Sequence, residues 1–204
     1  MFGKTFSVVA LLAVAACGSK TSSSSPGTFN GPVSGITFDV TSAVFAEPTL
    51  SSSLLQGLTG QSINTGTALC VLLSDTADAC ADVRAPNLNP NAKYFFVLLA
   101  DVNSSRNLVP AVAGTYGVHP QPTPLAASEI GYAGAVLNAF PNSTSEYKVG
   151  ASSGTVTLTV AGQAASGSVS KANFSLAMEP NQEVASGNFS ATYCADLAPF
   201  VQNQ

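Results

Sequence analysis

The sequence contains no tryptophan, one histidine and few charged side chains. Lys and Arg number 7 among 204 residues, against 11 Asp and Glu, so the formal net charge is −4. A chain so short of cations lacks the basic surface that holds the phosphates of nucleic acid or the anionic headgroups of a bilayer. We therefore expect no nucleic acid among its partners, and no membrane binding through basic residues.

The shortage of histidine also argues against metal binding and against common kinds of catalysis. His119 lies between Val118 and Pro120, where we expect a loop, and it cannot by itself supply the three or four ligands of a typical zinc site. Residues 150–154 match Gly-x-Ser-x-Gly. A nucleophile elbow, however, has a helix after the serine and a histidine later in the chain. Because His119 comes earlier, we interpret residues 150–154 as a serine–glycine turn.

Two Ser-x-x-Lys matches, at residues 145–148 and 168–171, lie in strand-like patterns, and the chain has no Lys-Thr-Gly to accompany them. We therefore predict no catalytic residues, no bound metal and no cofactor. A hydrolase with an unrecognised site remains an alternative. It would be indicated by a deep pocket that holds His119 beside a carboxylate and a serine.

One loop is rich in the oxygen ligands that calcium prefers. The residues are Asp75, Asp78, Asp82, Asn87, Asn89 and Asn91. Their spacing fits no calcium motif, and a solvated acidic loop explains them equally well. Flat sugar-binding sites usually use exposed Trp and Tyr. The chain has no Trp, and most of its five Tyr lie on strand faces expected to be buried, so a site of this kind is less favoured.

The N-terminal apolar run, Phe6 to Ala16, is about half of the roughly 20 residues needed to span a bilayer. It follows Lys4 and ends in Val-Ala-Ala before Cys17, the general plan of a secretory signal. The Val-Ala-Ala-Cys ending resembles the lipobox of bacterial lipoproteins. That resemblance implies cleavage after residue 16, acylation of Cys17 and attachment to a membrane through the lipid. An ordinary cleaved signal that happens to contain a cysteine is the alternative.

These features divide the chain into a signal peptide (1–16), a lipid-anchored Ser-rich tether (17–31) and a single all-β domain (32–204). The tether contains the serine run 22–25 and then Pro26 and Gly27, a composition typical of flexible linkers. Gly18 after the cysteine favours the outer membrane in lineages that sort by that residue. We expect a bacterial cell-envelope location, with the periplasmic and surface-exposed alternatives open.

Three cysteines remain once Cys17 carries lipid, and an oxidising compartment permits one disulfide among them. Cys70 lies in an apolar run, where a free cysteine behaves as a small buried hydrophobe. Cys80 lies in a polar stretch, and Cys194 ends a strand-like pattern. We therefore predict a Cys80–Cys194 disulfide, with Cys70–Cys80 as the alternative.

Alternating or continuous apolar patterns predict short strands separated by turn residues. The predicted strands include residues 36–41, 69–73, 94–100, 114–118, 147–149, 155–160, 174–178 and 189–193. Residues 166–170 and 186–190 are similar to each other, which predicts neighbouring strands, and Leu54, Leu55 and Leu58 predict one short helix. The fold class is therefore all-β, an antiparallel sandwich or barrel of about 8–10 strands.

The last third of the chain, which ends its strand pattern in Ala-Thr-Tyr-Cys194, is similar to uncharacterised all-β bacterial lipoproteins. The resemblance brings no known activity. Taken together, we expect a non-catalytic, lipid-anchored envelope or surface protein that binds another envelope protein or acts structurally. The alternative is a ligand-binding module for sugar, lipid or calcium, with its site in inter-strand loops such as Asp75 to Asn91 or Val109 to Pro124. An apolar barrel interior would favour a lipid carrier, and a filled core would favour protein contacts. The oligomeric state is left open.

Overall fold

The structure, a computed structural model, describes residues 25–32, 37, 39–85, 88–120, 129–137, 147–162, 165–173 and 184–203. These residues form thirteen strands and three short helices. The strands are β1 (Gly27–Asn30), β2 (Ser42–Ala46), β3 (Thr49–Leu50), β4 (Gly66–Thr67), β5 (Leu69–Ser74), β6 (Lys93–Val102), β7 (Leu108–Pro110), β8 (Gly114–Gly117), β9 (Glu129–Leu137), β10 (Tyr147–Gly150), β11 (Ser153–Val160), β12 (Ala165–Asn173) and β13 (Val184–Tyr193). The helices are α1 (Ser52–Thr59), α2 (Ala79–Arg84) and α3 (Leu197–Gln202). No helix in the described part of the chain is both long enough and apolar enough to cross a membrane.

Eleven strands form one curled sheet in the order β10-β9-β6-β5-β2-β13-β12-β11-β8, with β1 paired to β13 and β7 paired to β6. The all-β prediction is confirmed, but the sheet is mixed, because β13 pairs with β2 in parallel. The long separation of these two strands in the sequence makes the parallel arrangement possible, since only neighbours joined by a tight hairpin must be antiparallel. The predicted neighbours 166–170 and 186–190 do pair, in β12 and β13.

The two ends of the sheet approach each other, which gives the sheet the shape of a half-barrel. β8 lies at one end, and the N–H of His119, just after it, donates to the carbonyl of Gly131 in β9, 3.2 Å away. A side chain at Gly131 would overlap the carbonyl oxygen of Gly117. Glycine at this position therefore permits the close approach of β8 and β9.

Apolar side chains pack on both sides of the curled sheet. The inner cluster fills the concave side and includes Phe29, Phe45, Phe95, Tyr116, Leu158 and Phe189. The outer cluster lies beneath the helices and includes Leu55 of α1, Val83 of α2 and Leu197 of α3. Strand β5 is buried on both faces, as its continuous apolar run predicts, because alternate residues face the two clusters.

Several predicted elements match the structure, namely β5, β6, β8, β11 and α1. The predicted strand 36–41 differs: residues 36 and 38 lie outside the described residues, and the strand begins only at Ser42. Residues 174–178 also lie outside them. Gly27–Asn30, assigned to the tether from sequence, forms β1 against β13. Phe29 explains this difference, because its ring is buried beside Phe95 in the inner cluster, with ring centroids 4.6 Å apart.

Candidate functional site

The strongest candidate site is a groove at the open end of the half-barrel, which we call the mouth groove. It has a volume of about 570 Å³ and is lined by Glu47, residues 111–113 and residues 159–162. Glu47 directly follows β2, and Val160 ends β11. Both strands run in the same direction as β13, so their carboxyl ends lie at the same rim of the sheet. The connection from β7 to β8 supplies the opposite wall.

Val160 is exposed at an irregular point of β11. Val156 and Leu158 are fully buried, but the register shifts between Leu158, which pairs with Gly167, and Val160, which pairs with Ser166. This irregularity interrupts the alternation of the strand, and Val160 is 47% exposed. The groove is thus bordered by the inner cluster at Ala111 and by the exposed Val160.

Val112, the second exposed apolar residue of the groove, is held in place by a buried tyrosine. The Tyr116 hydroxyl accepts from the Val112 N–H and lies within hydrogen-bond distance of the Val112 carbonyl, both at 2.9 Å. Asp101 offers the phenol a second acceptor at 3.3 Å. Burial is the main cause that raises the pKa of Tyr116, so the phenol keeps its proton at neutral pH. With this backbone fixed, the Val112 side chain is 62% exposed.

Small residues and one acid complete the mouth groove. Ala111, Ala113 and Ala161 take little space, and Gly162 has φ 111°, a conformation that favours glycine, at the turn after β11. Glu47 is exposed and is the one charged residue among those that line the groove. The site is therefore an apolar depression with a single negative charge at its edge.

A second groove, of about 290 Å³, lies where β13 leaves β1 and joins β2. Two of its polar side chains already bond to the backbone: Ser42 Oγ donates to the Thr76 carbonyl and accepts from the Ala79 N–H, and Asp78 caps α2. Tyr193 at this groove is 63% exposed and lies edge-on to Phe45. These bonds give the polar side chains of the second groove a structural explanation.

The acidic loop predicted from sequence has its carboxylates engaged within the protein. Asp75 accepts from the Lys93 N–H at 2.8 Å, and Asp78 accepts from the Ala81 N–H at 3.0 Å. Asp82 accepts from Thr76 at 2.6 Å and from the Tyr94 hydroxyl at 2.8 Å. The loop includes α2, which the sequence analysis missed, and Asp78 at its N-cap was the available signal. These contacts favour a structural role over calcium binding.

His119 lies in the connection after β8, as predicted, and is half-buried. Glu129 accepts from the Gly117 N–H at 3.0 Å, and a side chain at Gly117 would lie near both His119 Nε2 and the Glu129 carboxylate. Ser152 lies in the bend between β10 and β11, which fits the predicted turn, and a strand follows it where a nucleophile elbow has a helix. Asn87 and Ser145 lie outside the described residues.

The structure joins Cys80 and Cys194 in a disulfide, with Cα atoms 5.8 Å apart, the pairing favoured from sequence. It ties α2 to the residue after β13. Among the described residues, the one group of three candidate metal ligands is these two cysteines with Asp196, and the bond between the sulfurs leaves them unable to act as thiolates. Cys70 is free and buried, and burial raises the pKa of its thiol to about 12. Cys17 lies outside the described residues.

No protein-family model, no curated protein and no solved structure matches this chain. The support for the candidate site is therefore its geometry. Sequence reasoning missed Val160 as a site residue. Val112 lies in the loop from Val109 to Pro124, which the sequence offered as a possible ligand site, and the apolar Ala-Val-Ala triplet between Pro110 and Gly114 was a more specific signal there.

Proposed function

We propose that this chain is a non-catalytic, lipid-anchored protein of the bacterial cell envelope that binds another envelope protein through the mouth groove. Cys17, after its lipobox-like sequence, is the proposed site of acylation. The serine-rich segment after it is the proposed spacer between membrane and domain. The proposal assigns the domain no reaction.

The observation that carries the proposal is the exposure of Val112 and Val160 at one groove, with the Val112 backbone hydrogen-bonded to Tyr116. Apolar side chains that border one groove are typical of protein–protein contact sites, and a rigid backbone lowers the entropy cost of binding. The concave interior next to the groove is filled by packed side chains, among them Phe45, Leu99 and Leu158. A filled interior favours contacts with a protein over carriage of a lipid.

The anchor is tested by labelling cells of the native host with an alkyne-bearing fatty acid. We expect the wild-type protein to take up label and to sediment with membranes, and the Cys17→Ala variant to lose both properties. Protease added to intact cells then distinguishes the surface from the periplasm, with an internal protein as control. Equal labelling of both variants would contradict acylation at Cys17.

The docking site is tested by placing a photo-crosslinking amino acid at position 112 in those cells. Val184 is the matched control, because it is also an exposed valine, 46% accessible, and it does not line the mouth groove. We expect a discrete crosslinked protein from position 112 that disappears in the Val160→Asp background, and none from position 184. Absence of any product from position 112, or the same product from both positions, would overturn the docking proposal.

A further inference from the structure

We propose that the partner segment bound in the mouth groove presents an aliphatic side chain next to a lysine or arginine. This inference rests on the proposed function and adds the chemistry of the partner. Val112 and Val160 define the apolar part of the contact, and Glu47 defines its charge. The three residues come from separate parts of the chain, brought together by the curled sheet.

The negative charge at the edge of the groove favours a partner that carries a cationic side chain there. Glu47 forms no ion pair within the described part of the chain, so its carboxylate is available to a partner. Asp101, near the end of β6, is a second carboxylate at this rim of the sheet, and it lies 3.3 Å from the Tyr116 hydroxyl that holds the Val112 segment. Glu129, its register neighbour in β9, is instead engaged with the Gly117 N–H at the far end of β8. Glu47 and Asp101 are both negative.

Described cations do not neutralise Glu47. Lys93 begins β6 and therefore lies at the opposite end of that strand from Asp101, where it forms an ion pair with Asp75. Arg84 pairs with Asp196 beside the disulfide. Arg106, in the turn after β6, directs its guanidinium to the side chain of Gln61 at 3.1 Å. A basic partner would meet an uncompensated carboxylate at the groove.

The shape of the groove selects an aliphatic side chain and disfavours a fatty acid. The other residues that line the groove are three alanines, one glycine and Thr159, whose hydroxyl donates to the Ser166 carbonyl at 2.9 Å, and the small residues leave room for an inserted side chain. A fatty acid would bring its own carboxylate toward Glu47, and like charges in contact oppose binding. A Leu, Ile or Val beside Lys or Arg satisfies the apolar wall and the acid together.

The test measures the yield of the position-112 crosslink in cells when Glu47 is changed. We expect Glu47→Lys to reduce the yield about tenfold, because it replaces an attraction with a repulsion, and Glu47→Gln to reduce it less. Asp39→Lys is the matched control, since Asp39 is also exposed and lies away from the groove, and it should leave the yield unchanged. Thermal melting of each purified variant confirms that it folds.

Mass spectrometry of the crosslinked peptide supplies the second readout. An aliphatic residue within two positions of Lys or Arg at the crosslink supports the inference. A crosslink to an acidic segment, or a yield that Glu47→Lys leaves unchanged, would overturn the inference while leaving a protein-docking site at Val112. A crosslink to an acyl chain, or no crosslink from position 112 when Glu47 is intact, would instead overturn the proposed function, so the two failures are distinguishable.

Discussion

Apolar residues are covered on the outer face of the curled sheet but exposed at the mouth groove. On the outer face, three helices cover the strands, and a disulfide fixes α2 to the end of β13. At the mouth, Val112 and Val160 stand exposed, although the Tyr116 hydroxyl bonds to the Val112 backbone. The first region is closed by the chain itself. The second is left open.

This difference separates stability from function. Where the chain covers an apolar surface, as α2 covers β2 and β5, the contacts stabilise the fold. Where it leaves one open on a fixed backbone, the exposed area contributes little to folding and remains available for binding. Substitutions on the outer face should therefore change the free energy of unfolding, and substitutions at the mouth should change partner binding alone.

The largest effect is expected from removing the disulfide that closes the outer face. The bond joins residues 114 positions apart, and loop-closure entropy for about 100 residues stabilises a fold by about 4 to 5 kcal/mol. We expect the Cys80→Ala/Cys194→Ala double variant to lose stability of that order in urea-induced unfolding. Cys70→Ala is the control, because it removes a buried thiol without opening a crosslink. If the two losses were equal, the disulfide would have no special role.

A smaller effect is expected from Tyr94→Phe, which removes the hydroxyl between the acidic loop and β6. That hydroxyl donates to Asp82 and accepts from the Asn89 N–H, and a hydrogen bond to a charged acceptor is worth about 2 kcal/mol. We expect a loss near that value in urea-induced unfolding. Tyr193→Phe, an exposed tyrosine, is the control and should change stability by less than about 0.5 kcal/mol.

Tyr94→Phe should also change how the stability of the protein depends on pH. Burial, and then the Asp82 carboxylate, raise the pKa of Tyr94, so the folded protein holds the phenol proton more tightly than the unfolded chain. The resulting stability is complete below the ordinary tyrosine pKa of about 10 and is lost as the pH rises above it. Tyr94→Phe should therefore show a shallower alkaline decline in melting temperature. An unchanged decline would assign the effect to Cys70, Tyr116 or Tyr132, whose pKa values are also raised.

The smallest effect on stability is expected at the mouth. Val112→Ser and Val160→Ser should each change the free energy of unfolding by less than about 0.5 kcal/mol, because the side chains are exposed. Leu158→Ala, two residues before Val160 in β11 but fully buried, should cost about 2 to 5 kcal/mol. Calorimetric melting of the three variants tests this. A large loss at Val112 or Val160 would make the mouth part of the core.

Local pattern was sufficient where burial depends on neighbours in the sequence. The continuous apolar runs predicted β5 and β6 as buried strands, and the leucines at helical spacing predicted α1. The polar setting of Cys80 led to the observed disulfide. Sequence pattern failed at the end of β11. Val160 continues the apolar alternation of Val156 and Leu158 in the sequence, but the register shift between Leu158 and Val160 breaks that alternation in the structure and leaves Val160 exposed.

Sequence alone therefore determined an all-β chain, its two central strands, one buried free cysteine and the favoured disulfide. The tertiary structure decided the parallel pairing of β13 with β2, the recruitment of Gly27–Asn30 into the sheet, and the juxtaposition of Glu47, Val112 and Val160. The physical reason is the separation in sequence of the residues that make each feature. Alternation and composition report the surroundings of each residue along one strand, whereas a groove is made by strands that meet only after the sheet has curled.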